Sequence, residues 1–367
     1  MIIKSLELAD YRNYESLELQ FDKRTNILYG DNAQGKTNIL EAIYVAATTK
    51  SHKGSKDKEI VNFEKEEAHI RTYIEKENVE TRVDMHLRKS KSKGIAVDGK
   101  KLKKAADLLG LCNVVFFSPE DLGIIKNGPA ERRRFIDMEL CQLDSIYLYN
   151  LNNYSKIVNQ RNKLLKDMFM NPDLKETLKI WDMQLVSYGS KIIERRRIFV
   201  EQLNEIIYDI HKKLSGDKEE LRIVYEPNVE IEDFEKSMRD RRDRDIKAKM
   251  TTVGPHRDDF SIMVGQVDIR RFGSQGQQRT AALSLKLSEI ELVKKITKDS
   301  PVLLLDDVLS ELDSNRQNYL LNSIGDIQTI ITCTGLEEFV NNRFEINRVF
   351  QVTEGTVTLM GNNQEES

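Results

Sequence analysis

The sequence lacks the marks of a secreted or membrane-spanning chain. Its 367 residues include three cysteines, Cys112, Cys141 and Cys333, an odd number with no C-x-x-C or metal-type spacing. A disulfide framework is therefore excluded, and free thiols, buried or partly buried in a reducing compartment, are expected. No apolar run reaches the ~18 residues of a membrane span. The start, Met1 to Asp10, carries acids and no long apolar stretch, which predicts no secretory leader. A cytoplasmic chain is the expectation. Of the five histidines, none stands at metal-ligand spacing from another, and His256 reads as a structural or nucleotide-adjacent residue. No Ser/His/Asp or Cys/His set can be assembled from spacing, so covalent catalysis has no support. An excess of one charge is missing too: 57 Lys and Arg stand against 60 Asp and Glu, a net charge of -3. That balance excludes a uniformly basic nucleic-acid binder.

What is present is 39% hydrophobic and 32% charged residues, enough for a core beneath an ionic surface and too apolar for a disordered chain. The length fits two or three domains. Short strand patterns open the chain at Ile2–Leu8, Ser16–Phe21 and Thr25–Tyr29. A helix follows from Asn38 to Ala47, with Ile39, Leu40, Ile43, Tyr44 and Ala47 on one face. Strand alternation returns between Glu67 and Leu87. From about Pro129 to Leu214 the sequence is charged, nearly free of glycine and of helical period, with Trp181, Leu185, Tyr188, Ile192 and Ile193 forming a core stripe. Strands resume at Glu220–Tyr225 and around Gly265, a long helix runs from about Gln277 to Thr297, and the tail from Gly361 is polar and expected to fray. The pattern predicts an α/β domain with halves at 1–112 and 251–367, split by a mainly helical insertion at 113–250.

Chemistry is written first at Gly30-Asp31-Asn32-Ala33-Gln34-Gly35-Lys36-Thr37, which fits G-x-x-x-x-G-K-[ST] between a strand and a helix. Such a loop turns its amide N–H groups onto phosphate oxygens, and the helix adds its positive N-terminal end. Lys36 is placed on the β- and γ-phosphates of ATP, and the Thr37 hydroxyl on Mg²⁺. A P-loop also needs a carboxylate at the end of a neighbouring parallel strand. Val302-Leu303-Leu304-Leu305-Asp306-Asp307 supplies it: four apolar residues suited to a strand buried on both faces, then two acids. Asp306 is assigned to the Mg²⁺ shell and Asp307 to positioning or activating water. These halves of one site stand 270 residues apart.

A second anion-seeking feature is Phe272-Gly273-Ser274-Gln275-Gly276-Gln277 ahead of the long helix. Alone, it reads as a helix cap on a flexible turn. Beside a P-loop and an Asp-Asp strand it resembles the signature loop of ABC-type ATPases, with Ser274, Gly276 and Gln277 matching S-x-G-Q and Gln275 departing from the double glycine of transporters. Val308 to Asp313 resembles the D-loop of that class. Asp307 stands where many ABC proteins have Glu, which suggests slow turnover. The strand Ile330–Cys333 ends without the switch His of many ABC proteins, leaving Thr334 as the candidate γ-phosphate sensor.

With Asp10-Tyr11-Arg12-Asn13-Tyr14, Lys50 to Asp57, Phe116 to Leu122, Gly128 to Arg134 and Gly254-Pro255-His256-Arg257, nearly the whole chain resembles the RecF family, related to the heads of SMC and Rad50 proteins. The resemblance implies an ABC-type ATPase head and an ATP-dependent homodimer. It places Arg12, Asn13 and Gly30 to Asn38 on nucleotide, and Ser274, Gly276 and Gln277 on the γ-phosphate held by the partner copy. It further implies weak DNA-stimulated ATP hydrolysis, binding to duplex, gapped or junction DNA, RecO and RecR as partners, and RecA loading as the outcome, with no membrane partner.

A place for DNA is suggested by charge. Arg88 to Lys104 holds Arg88, Lys89, Lys91, Lys93, Lys100, Lys101, Lys103 and Lys104 against one acid, Asp98, and Gly94 and Gly99 suggest a mobile hairpin. Arg132–Arg134 and Arg195–Arg197 add smaller clusters. Phosphate contact without base reading is the expected mode. Other classes fit less well. A structural SMC ATPase needs long arms, a transporter subunit needs the standard signature, and a P-loop small-molecule kinase needs no second anion loop.

Overall fold

The structure, a computed structural model, describes residues 1–168, 172–336 and 345–360; the expected frayed tail lies outside them. The chain divides into two compact units, Met1–Asp121 with Glu289–Ser367, and Leu122–Ser288. The sequence boundaries at 112/113 and 250/251 thus fall short of those observed. The reason for the first is Val114–Phe117, four buried apolar residues that pair in parallel with Val302–Asp306 and so join the first unit. The second observed boundary falls inside the long helix Gln275–Thr297.

Two six-stranded sheets make the first unit. One is antiparallel, in the order Tyr14–Gln20, Ile2–Tyr11, Glu67–Lys76, Val79–Arg88, Gly94–Val97, Lys100–Lys101. Its strands alternate because one face is core and the other solvent. The other sheet runs Thr356–Met360, Arg348–Thr353, Thr25–Tyr29, Thr329–Cys333, Val302–Asp306, Val114–Phe117, and is parallel apart from the antiparallel hairpin at 348–360. Its three central strands are almost continuously buried, as strands covered on both faces must be.

The helix Lys36–Thr48 packs on Glu67–Lys76 of the first sheet and on Val114–Phe117, Val302–Asp306 and Thr329–Cys333 of the second. The face expected from the sequence, Ile39, Leu40, Ile43, Tyr44 and Ala47, is buried, and the burial extends beyond it. The helix is buried nearly all round, Ala42, Val45 and Ala46 as deeply as Ile39 and Ile43. Small residues at the former positions let a sheet approach from either side.

The second unit pairs the helices Ser145–Asp167 and Leu178–Leu214 with a three-stranded antiparallel sheet, Val267–Asp268, Asp259–Val264 and Leu221–Glu226. Asp144 starts the first of these helices by accepting from the amides of Ile146 and Tyr147. The unit's interior holds charge as well as apolar side chains. Arg161, fully buried, donates to Asp182 at 2.8 Å, to Asp245 at 2.7 Å and to the Thr251 hydroxyl. Arg196, also buried, donates to Asp137, Asp258 and the carbonyl of Pro255. His256 is structural here: it meets the Tyr154 hydroxyl through Nδ1 and the Thr251 carbonyl through Nε2, and burial pushes its pKa down to about 4. Removing one member of a buried ion set leaves its partners charged in a dry interior. Arg161→Leu is expected to lower the unfolding free energy by about 3–5 kcal/mol, measured by urea denaturation.

Candidate functional site

The P-loop closes on itself through two backbone conformations that a side chain would not allow. Gly30 has φ 152°, and a Cβ there would lie 2.2 Å from the carbonyl oxygen of Val352. Gly35, at φ 107°, would drive a Cβ to 2.5 Å from Asn13 Nδ2 and 2.8 Å from the Tyr14 hydroxyl. Between them Lys36 folds back, its Nζ donating to the carbonyls of Gly30 at 2.5 Å and Asp31 at 2.7 Å. Burial holds the Lys36 pKa below the ordinary lysine value, opposed most strongly by the charge of Asp307.

Asp306 is the junction of the site. Its Oδ1 accepts from the Thr37 hydroxyl at 2.8 Å and from the Thr332 hydroxyl at 2.7 Å. Parallel register puts Asp306 opposite Thr332, so the bond is built into the sheet. Thr332 in turn accepts from the amide of Asp307 at 3.0 Å, and Asp307 takes a left-handed backbone, φ 53°. A cavity of about 220 Å³ is lined by Asn32 to Asn38, Lys53, Asp306, Asp307 and Thr332. Thr332 and Lys53 escaped the sequence reading. Thr334, the residue it singled out, is exposed beyond the strand.

Arg12 and Asn13 flank the loop. Arg12 makes a bidentate pair with the buried carboxylate of Glu41 on the P-loop helix, both bonds 2.8 Å, and reaches the Ser55 hydroxyl and the Glu59 carbonyl. Ser51 also donates to Glu41. These bonds tether the segment carrying Lys53 to the helix behind the loop. Asn13 accepts from Asn38 Nδ2 at 2.7 Å and donates to the carbonyl of Gln34 at 3.3 Å.

In the second unit, Ser274 and Gln277 cap the helix Gln275–Thr297 reciprocally: the Gln277 amide donates to Ser274 Oγ and the Ser274 amide to Gln277 Oε1. Gln277 Nε2 donates to Glu219 at 2.8 Å, and Glu219 meets the buried His211, which contacts Ser284. Ser274, Gln275 and Gly276 themselves are exposed. Spacing gave no hint of Glu219 or His211, which come from another helix and loop.

The basic clusters separate by environment. Arg132 is buried against Asp259, Arg133 bonds the Asp258 carbonyl, and Arg195, Arg196 and Arg197 pair with Asp144, Asp137 and Glu230 respectively. In the run from 88 to 104, Lys93 is drawn in by Asp57 at 2.7 Å and the Thr49 carbonyl, and Lys89 bonds the Phe63 carbonyl. Lys91, Lys100, Lys101, Lys103 and Lys104 are exposed. The expected hairpin is there, turning at Asp98 and Gly99, both with positive φ, and it is paired into the edge of the sheet.

A glycine-shaped phosphate loop whose helix is sandwiched by sheets, with an Asp-Asp strand end beside it, defines an ABC-type ATPase head of the SMC class. The chain belongs to the RecF family. The family model described as the RecF/RecN/SMC N terminal domain matches residues 2–358. The DNA replication and repair protein RecF of Lachnospira eligens is 63% identical over 97% of this chain and 99% of its own length. That of Agathobacter rectalis is 63% identical over 98% and 99%. A solved structure of the recombination mediator protein RecF-ATP in the RecFOR pathway superposes with a TM-score of 0.92 at 36% identity, covering 98% of this chain and 97% of the other. An SMC head bound to a domain of ScpA, at 17% identity and a TM-score of 0.58, shares the fold.

Gly35→Ala tests the loop. Because Asn13 and Tyr14 leave no room for the methyl group, nucleotide affinity is expected to fall by more than about tenfold, equivalent to roughly 1.4 kcal/mol, in a fluorescent-ATP titration, while the circular dichroism spectrum is unchanged.

Proposed function

We propose that this chain is an ATP-dependent DNA-binding ATPase of replication and recombinational repair, acting as a homodimer whose nucleotide sites are each completed by the partner copy. The relatives at 63% identity bear the name DNA replication and repair protein RecF, and a structural relative at 36% identity is a RecF-ATP form. The observation that carries the reading is the shared acceptor Asp306 Oδ1, which binds the hydroxyl after the P-loop lysine to the sheet at the cavity wall.

In this reading Gly30 to Asn38 wrap the phosphates, Lys36 exchanges its loop carbonyls for phosphate oxygens, and Arg12 and Asn13 hold the loop's flank. Thr37 and Asp306 fit Mg²⁺: two hard oxygen donors, 2.8 Å apart, beside a phosphate loop. When bound there, the ion would neutralise charge on the β- and γ-phosphates. Asp307 orients the attacking water; its shorter reach than Glu fits slow, DNA-stimulated hydrolysis serving as a timer for release. Ser274, Gly276 and Gln277 meet the γ-phosphate held by the other protomer, Gln277 being steadied by Glu219.

DNA is held by its backbone through the exposed Lys91, Lys100, Lys101, Lys103 and Lys104, with Lys89 and Lys93 supporting the hairpin. Duplex, gapped or junction DNA is the substrate class, and on it the chain works in the nucleoid of the cytoplasm. RecO and RecR are the expected partners, with RecA loading as the outcome; the RecFOR description of the structural relatives supports the first two. A chromosome-tethering role is disfavoured by the helical pair. Its longer helix has 37 residues, a span of about 55 Å. A transporter role is disfavoured by Gln275 in the signature loop and, among the described residues, by the want of any helix long and apolar enough to cross a membrane.

Two experiments test this reading. Lys36→Ala should abolish ATP-induced dimerisation in analytical ultracentrifugation, and Asp307→Asn should prolong the ATP dimer by blocking hydrolysis alone. A dimer that forms equally well in Lys36→Ala would refute the composite site. In the second, DNA affinity is measured across a salt series with and without ATP. If about five phosphates are neutralised, log K against log salt should slope near −4.5. Replacing Lys100, Lys101, Lys103 and Lys104 by Gln should flatten the line, and an affinity indifferent to salt would remove the assignment.

A further inference from the structure

Apart from the nucleotide site, the antiparallel sheet brings together three side chains that the sequence keeps well separated. His69 on Glu67–Lys76 and His86 on Val79–Arg88 are direct register partners. Their rings stack with centroids 4.2 Å apart and planes 19° from parallel. Glu67, two residues before His69, shares its face, and its Oε2 lies 2.5 Å from His86 Nε2. One donor atom from each of the three falls within 4.8 Å of the others. We propose that Glu67, His69 and His86 form a binding site for a divalent transition-metal cation of the zinc class.

Two imidazoles and a carboxylate, with remaining positions open to water, are a donor set that suits Zn²⁺. Ligands on one tetrahedral ion stand about 3.4 Å apart for bonds near 2.1 Å; the donor atoms already lie within 4.8 Å of one another, and binding turns the two rings out of their stack so that both in-plane lone pairs meet the ion. The backbone beneath is fixed in register. Ala68, Ile70, Met85 and Leu87 alternate with the three ligands and are buried in the core, so a slip of one residue would expose that row. Access is open as well. The histidines line a surface groove of about 600 Å³, and His86 faces Gly94 on the next strand, where no side chain covers the ring.

Arg88 makes the site distinguishable from an ordinary ion-pair cluster. Its Nη2 lies 2.9 Å from His86 Nδ1, so that Nδ1 accepts and the ring proton sits on Nε2, facing Glu67. Coordination through Nε2 moves that proton to Nδ1, with no net release from the ring, and turns Arg88 away. Arg88 is therefore a competitor for the site. In an ion-pair cluster it would be a supporting member.

The test uses the full chain, free of any affinity tag and stripped with chelator, titrated with Zn²⁺ by calorimetry in the presence of millimolar Mg²⁺. One ion per chain is expected, weakened at least about tenfold by His69→Gln or His86→Gln and tightened by Arg88→Ala. Co²⁺ should give a visible absorption band that His69→Gln abolishes. ATP affinity should be the same in all variants, which separates this site from the P-loop. Saturable binding that survives the double His69→Gln/His86→Gln substitution, the lack of saturable binding, or weaker binding in Arg88→Ala would each overturn the proposal.

Discussion

One carboxylate oxygen, Asp306 Oδ1, joins parts of the chain that translation separates widely. It accepts from Thr37 and Thr332 together. Each of these bonds is available only when the strands Thr25–Tyr29, Thr329–Cys333 and Val302–Asp306 lie side by side in parallel and in register. Parallel neighbours need crossovers, and the crossovers here contain most of the molecule. The nucleotide pocket therefore depends on long-range pairing and not on the P-loop alone. It forms once the first and last parts of the sequence have met, and a well-made P-loop implies a completed sheet.

That dependence explains what could be read from the chain directly. The phosphate loop and the Asp-Asp strand end are local: spacing and a short apolar run suffice to find Gly30, Gly35, Lys36, Thr37, Asp306 and Asp307, and the structure gathers Lys36, Thr37 and both acids around one cavity. Thr332 could not be found that way, since its importance comes from lying opposite Asp306. Lys53 likewise depends on Ser51 and Ser55 reaching the Glu41 and Arg12 pair. On the P-loop helix the stripe read from the sequence is buried as expected, but a stripe does not reveal that the remaining faces are buried too, against a second sheet. Val114–Phe117 misled because four residues carry too little pattern to announce a strand.

Charge is where linear reading and folding part most. The Arg132–Arg134 and Arg195–Arg197 triplets look like surface patches when their acids are far away in sequence. In the fold, Asp259, Asp137, Asp144 and Asp258 come to them. A near-neutral total thus conceals two kinds of basic residue: Arg132, Arg161 and Arg196, paired with acids in the second unit's interior, and those left at the surface. Their energetics differ. The buried sets depend on geometry and resist salt, whereas exposed lysines are screened over about 10 Å at 0.1 M salt.

Among the described residues, the strand Lys100–Lys101 ends the antiparallel sheet and is paired on one side only. An open strand edge offers its N–H and C=O groups to any extended segment that comes near, and flanking lysines are a common deterrent to such pairing. The lysines at this rim therefore have a second consequence, independent of any ligand. Like charges on two such rims would oppose their joining edge to edge into a continuous sheet. Neutralising them wholesale trades solubility for the loss of charge, so an uncharged hairpin invites aggregation even though nothing in its own fold has changed.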